Sequence, residues 1–230
     1  MKKTGISFVF PMYNERANIE KTVSRAKRLA EKLTSDYEII IADDASTDGS
    51  GDLVDHLATR DPKIKSVRLQ KNTKFGGALN AGLLAAQKPV IIYTDSDFPA
   101  REEDIQNALA LLVSSDIVTA YSLVIKDSRL KRILLSKGYN FLVRLLFRLH
   151  LRDINSGLKI YKLETIKRNG YRSRSPFIDV EIFMEAIKNG YQIKQYGVIF
   201  DLRNGGTSAI SRLSVITRTL LDMIIYRIFP

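Results

Sequence analysis

The chain of 230 residues contains no cysteine and only two histidines. Disulfides and thiolate metal sites are therefore excluded, and a histidine-rich zinc site is not expected. The lack of cysteine agrees with a reducing compartment. The Met1-Lys2-Lys3 start leads directly into a short predicted strand, without the apolar stretch of a signal peptide, so we expect a cytosolic N-terminus.

Two common phosphate-binding motifs are also missing. No Gly-x-Gly-x-x-Gly follows the first predicted strand, and the sequence has no Gly-Lys-Ser/Thr loop. This argues against a dinucleotide-binding Rossmann protein and a P-loop NTPase. The composition, 45% hydrophobic and 27% charged, suits one globular domain with a sizeable core. A formal net charge of +11 predicts an anionic partner, such as nucleic acid, a phosphorylated substrate or an acidic membrane surface.

Apolar strand-like segments alternate with helical patterns through the first half of the chain. The predicted strands are residues 6–10, 37–42 and 64–69, and a fourth that begins after Pro89 and stops at Asp95. Helical spacing of apolar residues begins at Ile19, and a loop at 72–77 is predicted to precede a helix of small residues at 78–86. This alternation predicts an α/β fold with a mainly parallel sheet, helices on both faces, and ligands outside the carboxyl ends of the strands.

The fourth predicted strand ends in two carboxylates one residue apart, Asp95-Ser96-Asp97. At a strand-to-turn junction both can point toward one ion. Mg²⁺ and Mn²⁺ usually bind one or two carboxylates, and substrate phosphate and water complete the coordination. The alternative is that the tripeptide caps a helix beginning near Glu102.

Polar turns also end the first two predicted strands, at residues 11–15 and at Asp43-Asp44. Several acidic turns at one edge of a sheet would repel one another unless a cation or a hydrogen-bonding ligand binds there. We therefore expect this edge to hold a nucleotide through a metal ion and carboxylates.

Four motifs in the first half occur in a specific order. They are Phe10-Pro11-Met12-Tyr13-Asn14-Glu15, Ala42-Asp43-Asp44-Ala45-Ser46-Thr47-Asp48-Gly49-Ser50, Asn72 with Gly76-Gly77-Ala78 and Gly82, and Asp95-Ser96-Asp97. In this order and spacing they resemble glycosyltransferase family 2, whose members have the GT-A fold. Two later segments are similar to the dolichol phosphate mannose synthase branch and related polyprenyl-phosphate glucosyltransferases, namely Asp153-Ile154-Asn155-Ser156-Gly157-Leu158-Lys159 and Arg203-Asn204-Gly205-Gly206-Thr207-Ser208.

The resemblance implies roles on the donor side. The residues that would border the base and ribose are Pro11, Tyr13 and Glu15, with Asp44 or its neighbour Asp43 hydrogen-bonding the base or ribose. Asp95 would lie against the nucleotide sugar, and Asp97 would ligate the Mg²⁺ or Mn²⁺ that bridges the diphosphate, with Asp95 as the second candidate ligand. One departure concerns this metal: Pro99 stands where such enzymes often have a Gln, and it offers only a backbone carbonyl.

The second half contains a basic, amphipathic segment. Residues 128–152 carry seven basic side chains and no acidic one. At helical spacing one narrow stripe is polar and contains Lys137, Asn140, Arg144 and Arg148. We predict an amphipathic helix at about 129–151 that lies in a membrane interface. The alternatives are a core helix with a basic, solvated edge, or binding of nucleic acid, which we do not expect because it leaves the apolar face unexplained.

The C-terminal segment is apolar but contains Arg218 and Asp222, which stand four residues apart and can pair on a helix. At about 17 residues it falls short of the roughly 20 apolar residues of a membrane span. We therefore predict a second interfacial helix at 209–230, after a GT-A domain at 1–208. That domain divides into a nucleotide-sugar half, 1–120, and an acceptor half, 121–208, and we expect a peripheral protein on the cytoplasmic face of a membrane.

The resemblance implies inverting transfer of a hexose from a nucleotide sugar, of the GDP-mannose or UDP-glucose type, to a dolichyl or undecaprenyl phosphate. The candidates for binding the acceptor phosphate are Arg129, Arg132, Ser136, Asp153, Ser156, Arg203 and Ser208. Arg203 is also a catalytic candidate with Asp95 and Asp97, because a guanidinium can hold a phosphate through two hydrogen bonds. Arg129 and Arg132 alternatively face lipid. A phosphate nucleophile is already anionic, with a second pKa near ~6, so no strong base is required.

Two other functions fit parts of the sequence. A family 2 enzyme that acts on a saccharide hydroxyl would need a carboxylate base, for which Asp179 and Glu181 are the candidates. The alternative for both residues is that acidic side chains are favoured at a helix N-terminus. A basic module that binds membrane or nucleic acid without catalysis would not depend on Asp97.

Overall fold

The computed structural model describes residues 4–124, 130–200 and 213–229. The strands in this part of the chain are β1 (Ile6–Met12), β2 (Tyr37–Asp43), β3 (Ile64–Arg68), β4 (Val90–Thr94), β5 (Ile117–Ser122), β6 (Leu158–Lys162) and β7 (Ile193–Val198). The helices are α1 (Ile19–Leu33), α2 (Ser50–Arg60), α3 (Lys74–Ala85), α4 (Glu102–Ala110), α5 (Leu130–Phe147), α6 (Ile178–Lys188) and α7 (Leu213–Ile228).

The seven described strands form one sheet in the order β3-β2-β1-β4-β6-β5-β7. Strand β1 pairs in parallel with β2, where Met12 lies opposite Asp43, and with β4, where Val9 lies opposite Tyr93. Strand β6 runs antiparallel to β4 and β5. Its amino end therefore arrives at the edge where β1, β2 and β4 end, and brings the preceding loop, residues 153–157, to the same edge.

The core lies on both faces of the sheet, because the central strands are apolar on both sides. Every residue of β1 and β2 is buried. On one face Phe8 and Phe10 belong to a cluster with residues of α1 and α4, and on the other Val9 and Ile40 belong to a cluster with residues of α3 and α6. This arrangement confirms the predicted α/β fold with a mainly parallel sheet and helices on both faces.

The predicted loop at 72–77 is wrong, because α3 begins at Lys74 and contains both glycines of that segment. A Cβ atom at Gly76 would lie only 2.5 Å from the backbone oxygen of Ser173, and one at Gly77 would overlap Thr73 Oγ1. The glycines therefore permit close packing of a helix start, whereas paired glycines in a sequence usually indicate a turn.

Helices α5 and α7 correspond to the two predicted amphipathic segments, with shorter limits. Helix α5 ends at Phe147 and not near 151, because Arg148 has a left-handed backbone with a φ of 54°. The last residue of the predicted polar stripe therefore lies beyond the helix. Residues 209–212 lie outside the described part of the chain. None of the described helices combines the length and the apolar character that crossing a membrane requires.

Two helical glycines provide a matched test of this packing. The substitution Gly76→Ala should lower the free energy of unfolding by about 1–3 kcal/mol, because its methyl group meets the backbone at Ser173. Gly138→Ala should raise it by about 0.5–1 kcal/mol, because no described atom lies within 4 Å of the added Cβ. Denaturant unfolding measures both, and unchanged stability in Gly76→Ala would contradict the close approach.

Candidate functional site

The turns after β1 and β2 are joined by hydrogen bonds at the carboxyl edge of the sheet. The backbone N–H of Asp44 donates to the carbonyl of Met12 (2.8 Å). The backbone N–H of Asn14 donates to Ser46 Oγ (2.9 Å), and the Asn14 side chain accepts from the backbone N–H of Thr47 (2.8 Å). The two polar turns predicted from the sequence therefore form one continuous surface.

Of the three predicted nucleotide-binding residues, Tyr13 and Glu15 lie in the first of these turns, whereas β1 extends through Pro11, which was predicted to lie in the turn. Pro11 is buried within β1, whereas the Tyr13 side chain is 47% exposed at the edge. Glu15 is partly buried and accepts a hydrogen bond from the Asn18 side chain (2.8 Å). Of the three, Tyr13 presents the largest surface to a ligand at this edge.

Asp43 and Asp44 are both buried but face different neighbours. Asp43 accepts from the backbone N–H of Ser46 (3.0 Å), and its other oxygen lies 3.7 Å from Nε of Arg68. Asp44 accepts from the backbone N–H and the hydroxyl of Thr73, at 2.5 and 2.8 Å. Burial raises the pKa of the Asp44 carboxyl, and the bonds from Thr73 only partly oppose this rise. Asp44 therefore links the acidic turn to the start of α3.

Asp95 is held from two sides directly after β4. Its Oδ1 accepts a hydrogen bond from the hydroxyl of Tyr93 (2.9 Å). A Cβ atom at Gly157 would lie only 2.7 Å from Oδ2, so the backbone of the loop 153–157 passes close to the carboxylate because residue 157 is a glycine. The loop before β6 and the end of β4 thus enclose Asp95 together.

The turn that carries Asp97 is held by helix α1. Thr22 Oγ1 donates to the carbonyl of Ser96 (2.6 Å). The Arg25 guanidinium donates to the carbonyl of Phe98 (2.7 Å) and lies 4.5 Å from the centroid of its ring. Phe98 has a left-handed backbone with a φ of 48°, which is strained for a bulky residue by about 1–3 kcal/mol. Strain of this kind is typical of functional sites, and α1 stabilises it here.

The capping alternative for Asp95 and Asp97 does not agree with the structure. Helix α4 begins at Glu102, its N-cap residue is Arg101, and no side chain makes a capping hydrogen bond there. The two carboxylates instead share the sheet edge with Asp44, because β2 and β4 both flank β1 and are separated by about 10 Å at the usual strand spacing.

The donor atoms at Asp95 and Asp97 fit Mg²⁺ or Mn²⁺. These hard cations bind carboxylate oxygen and take further ligands from substrate phosphates. The glycine at position 157 leaves room beside Asp95 Oδ2 that a side chain would fill. Among the described residues, no group of three or more acidic, histidine or cysteine side chains is placed to hold a metal ion. Any cation at these two residues would therefore take its other ligands from elsewhere, as in a site completed by a diphosphate.

The predicted acceptor loop is connected to α5. The Asn140 side chain accepts from the backbone N–H of Ile154 (3.4 Å), and Arg144 donates to the carbonyl of Leu151 (3.1 Å). Ser156 is buried, and its hydroxyl has no hydrogen-bond partner among the described residues. The remaining acceptor candidates are a partly buried Asp153 in this loop and an exposed Ser136 on α5. Arg129, Arg203 and Ser208 lie outside the described residues, as does the side chain of Arg132.

The structure contains a buried ion pair beneath Asp95 that was not predicted from the sequence. The side chains of Lys159 on β6 and Asp179 on α6 are 0% and 1% exposed, and Lys159 Nζ lies 3.0 Å from Asp179 Oδ2. Burial raises the pKa of Asp179 to about 6 although Lys159 acts to lower it. The sequence signal for this pair was a lysine within the apolar run from Leu158 to Tyr161.

Two carboxylates hold four consecutive backbone N–H groups at residues 172–175. Glu181 on α6 accepts from residues 172 and 173, both at 2.9 Å. Asp222 on α7 accepts from residues 174 and 175, at 3.0 and 2.9 Å, and also pairs with Arg218 as predicted. The carbonyl of Arg174 then accepts from the backbone N–H of Gly76 (2.9 Å), so this segment links α6 and α7 to the start of α3.

Comparisons with known proteins agree with this geometry. The family model for glycosyl transferase family 2 matches residues 7–170. The chain is 27% identical to polyprenol monophosphomannose synthase of Mycolicibacterium smegmatis over 215 residues, 88% of this chain and 80% of that protein. It is 31% identical to dolichyl-phosphate beta-glucosyltransferase of Dictyostelium discoideum over 182 residues, 71% of this chain and 55% of that protein.

Other similar proteins are considerably longer. The chain matches glycosyltransferase AglD of Haloferax volcanii with 29% identity over 84% of its own length, but it spans only 32% of that protein. Among solved structures, glucosyl-3-phosphoglycerate synthase from Mycobacterium tuberculosis in complex with Mn²⁺, UDP and glucosyl-3-phosphoglycerate superimposes with a TM-score of 0.71. The superposition covers 97% of this chain and 80% of that one, at 16% sequence identity. This superposition confirms the GT-A fold. Because the family model matches well over half of the chain, the chain belongs to glycosyltransferase family 2.

Proposed function

We propose that the protein transfers a hexose from a nucleotide sugar, of the GDP-mannose or UDP-glucose type, to a polyprenyl phosphate at a membrane surface. The main support is the position of Asp44, Asp95 and Asp97 at one sheet edge, opposite an acceptor loop that is hydrogen-bonded to the amphipathic helix α5. Several similar proteins are named for transfer to polyprenol, undecaprenyl or dolichyl phosphates, which supports the same class of acceptor.

The donor binds at the carboxyl ends of β1, β2 and β4 in this proposal. Tyr13 and Asp44 contact the nucleoside, and Asp95 and Asp97 hold the Mg²⁺ or Mn²⁺ beside the diphosphate. When bound, this cation supplies positive charge that stabilises the leaving nucleoside diphosphate. Asp95 is oriented for this role by Tyr93 and by the backbone at Gly157.

The acceptor supplies its own nucleophile. A phosphate oxygen attacks the anomeric carbon, the bond from that carbon to the diphosphate breaks, and the products are an inverted polyprenyl phosphosugar and a nucleoside diphosphate. No proton needs to be removed, because the attacking oxygen is already anionic near neutral pH, with a second phosphate pKa of about 6.

The two candidate bases support a phosphate acceptor over a saccharide hydroxyl. A base must reach the proton that it removes. Asp179 is buried and paired with Lys159, and Glu181 is buried and accepts two backbone hydrogen bonds. Both carboxylates are therefore buried and already paired within the protein. Neither is accessible as a base, although each lies near a helix N-terminus.

The outer sides of α5 and α7 are proposed to lie on the membrane. The helices pack together through the rings of Phe147, Phe177 and Tyr226, whose centroids are 5.5 to 6.0 Å apart. Their other sides form an exposed apolar face that comprises Phe141, Leu142, Leu145 and Leu146 on α5, and Leu220, Leu221, Ile224, Ile225, Ile228 and the following Phe229 on or after α7. Lys137 and Arg144 on α5 and Arg227 on α7 are exposed, and their positive charge complements anionic lipid better than a neutral partner.

The transfer reaction tests the proposal directly. The wild-type protein, incubated with labelled GDP-mannose or UDP-glucose, a polyprenyl phosphate and Mg²⁺ or Mn²⁺, should move label into the organic phase. Asp97→Asn should reduce the rate by about 100-fold or more, because a carboxylate ligand near the diphosphate is lost. Chelation by EDTA should abolish transfer.

The matched control for this substitution is Asp36→Asn. Asp36 is exposed and pairs with Lys88 at the opposite edge of the sheet, so its neutralisation should leave the rate unchanged. Full activity of Asp97→Asn would contradict the proposed donor site, and label found only on a water-soluble saccharide would contradict the acceptor.

Membrane binding is tested by removing apolar side chains from the exposed apolar face. Ile224→Ser with Ile228→Ser should weaken co-sedimentation with anionic vesicles about tenfold or more per residue. The reason is that each isoleucine side chain, once buried in the membrane, contributes about 1.5 kcal/mol or more to the binding free energy. The control pair is Leu84→Ser with Val113→Ser, which are exposed apolar residues lining a groove that includes the amino ends of β1 and β4. Equal loss of binding in both pairs would contradict a specific membrane-facing surface.

A further inference from the structure

The ion pair between Lys159 and Asp179 is difficult to explain by stability. Removing two charges from water costs more than their attraction usually returns, and apolar replacements of such pairs are often neutral or stabilising. The two side chains are almost completely buried, and Asp179 Oδ1 has no hydrogen-bond partner among the described residues. A buried, incompletely satisfied charge pair near a candidate site indicates a functional requirement.

The ionisation of Asp179 leads to the same conclusion. Burial, together with the nearby carboxylates of Asp95 and Asp153, raises its pKa to about 6, whereas Lys159 lowers it. The tyrosines facing it have raised pKa values: Tyr93 and Tyr161 are buried, and Tyr139 is partly buried. Lys159 therefore offsets only part of the cost of burying this carboxylate, as expected for a pair that is not retained for stability.

Lys159 contacts both groups that orient Asp95. Its ammonium lies 5.0 Å from the centroid of the Tyr93 ring, directly across the β4–β6 pairing, and the Tyr93 hydroxyl donates to Asp95 Oδ1. The same ammonium donates to the carbonyl of Ser156 (2.7 Å), one residue before the Gly157 backbone that passes Asp95 Oδ2. One buried cation therefore fixes the neighbours of both carboxylate oxygens.

Asp179 fixes the cation in turn. The ammonium has three donors, and it uses one for Ser156 and one for Asp179. Without the carboxylate, the ammonium would lose one of the two groups that fix its position, and both its hydrogen bond to Ser156 and its contact with the Tyr93 ring would weaken. Asp179 is thus connected to Asp95 through Lys159, although neither residue of the pair is exposed to a ligand.

We propose that Lys159 and Asp179 are positioning residues, a buried pair that holds Asp95 in the orientation in which it meets the nucleotide sugar and its cation. This inference rests on the proposed donor site. The proposal predicts that donor binding requires the charges of the pair. It also predicts that apolar packing can replace the contribution of the pair to stability. Activity and stability should therefore respond differently to the same substitutions.

The test compares single and double substitutions. Lys159→Met and Asp179→Asn each leave the other charged partner buried without its counter-ion and should lower the melting temperature. The double variant Lys159→Met with Asp179→Leu should regain a melting temperature near that of the wild type. All three should bind UDP or GDP in the presence of Mn²⁺ about 10–100-fold more weakly by titration calorimetry, as is usual when a residue that orients a ligand is lost.

Lys162→Met is the matched control, since Lys162 lies on the same strand and forms a partly exposed pair with Asp116 at the far end. It should bind nucleotide as the wild type does. Wild-type nucleotide affinity in the double variant would overturn the proposal.

A crystal structure of the double variant gives a readout that does not depend on the acceptor or the nucleotide. Asp95 should have turned away from the position in which it accepts from Tyr93, and an unchanged Asp95 with that hydrogen bond intact would overturn the proposal. If the wild type bound nucleotide with Mn²⁺ but transferred no sugar to polyprenyl phosphate, the proposed acceptor would be wrong. The positioning role would still be decided by affinity and by the orientation of Asp95.

Discussion

Parallel pairing of β1 with β2 on one side and β4 on the other determines where the acidic residues of this protein lie. Parallel strands end at the same edge, so the turns that carry Asp44, Asp95 and Asp97 arrive together. Carboxylates brought this close repel one another, and hydrogen bonds from Thr73 to Asp44 and from Tyr93 to Asp95 offset part of this repulsion. The remaining negative charge suits a cation and the diphosphate that accompanies it.

The reversal of β6 supplies the other side of the site. An antiparallel strand reaches the edge with its amino end, and its preceding loop closes on Asp95 at Gly157 while remaining hydrogen-bonded to α5 through Asn140. The same strand carries Lys159 into the layer beneath the carboxylates. Donor side, acceptor loop and amphipathic helix are thus connected by a short segment of chain, which explains how a lipid phosphate and a nucleotide sugar can be brought to one place.

The sequence predicted the parts of this arrangement that depend on local pattern. Helix α1, the strand before Asp95 and the ion pair of Arg218 with Asp222 follow from apolar periodicity and from four-residue spacing. Gly76 and Gly77 were misinterpreted, because a glycine needed for close packing looks the same as one needed for a turn. The contact of Lys159 with Asp179 and the hydrogen bonds that the backbone N–H groups of residues 174 and 175 donate to Asp222 join segments far apart in the chain, so no local pattern encodes them.

The four backbone N–H groups at residues 172–175 donate to two different helices, the first two to α6 and the last two to α7. Glu181 lies in α6, within the body of the fold, whereas Asp222 lies in α7, which carries much of the exposed apolar face. If α7 lifted from the body, the first two amides would stay protected and the next two would exchange their hydrogens with solvent. The hydrogen-exchange rates of the amides at residues 174 and 175 therefore report whether α7 is packed against the rest of the fold. The amides at residues 172 and 173 serve as the internal standard.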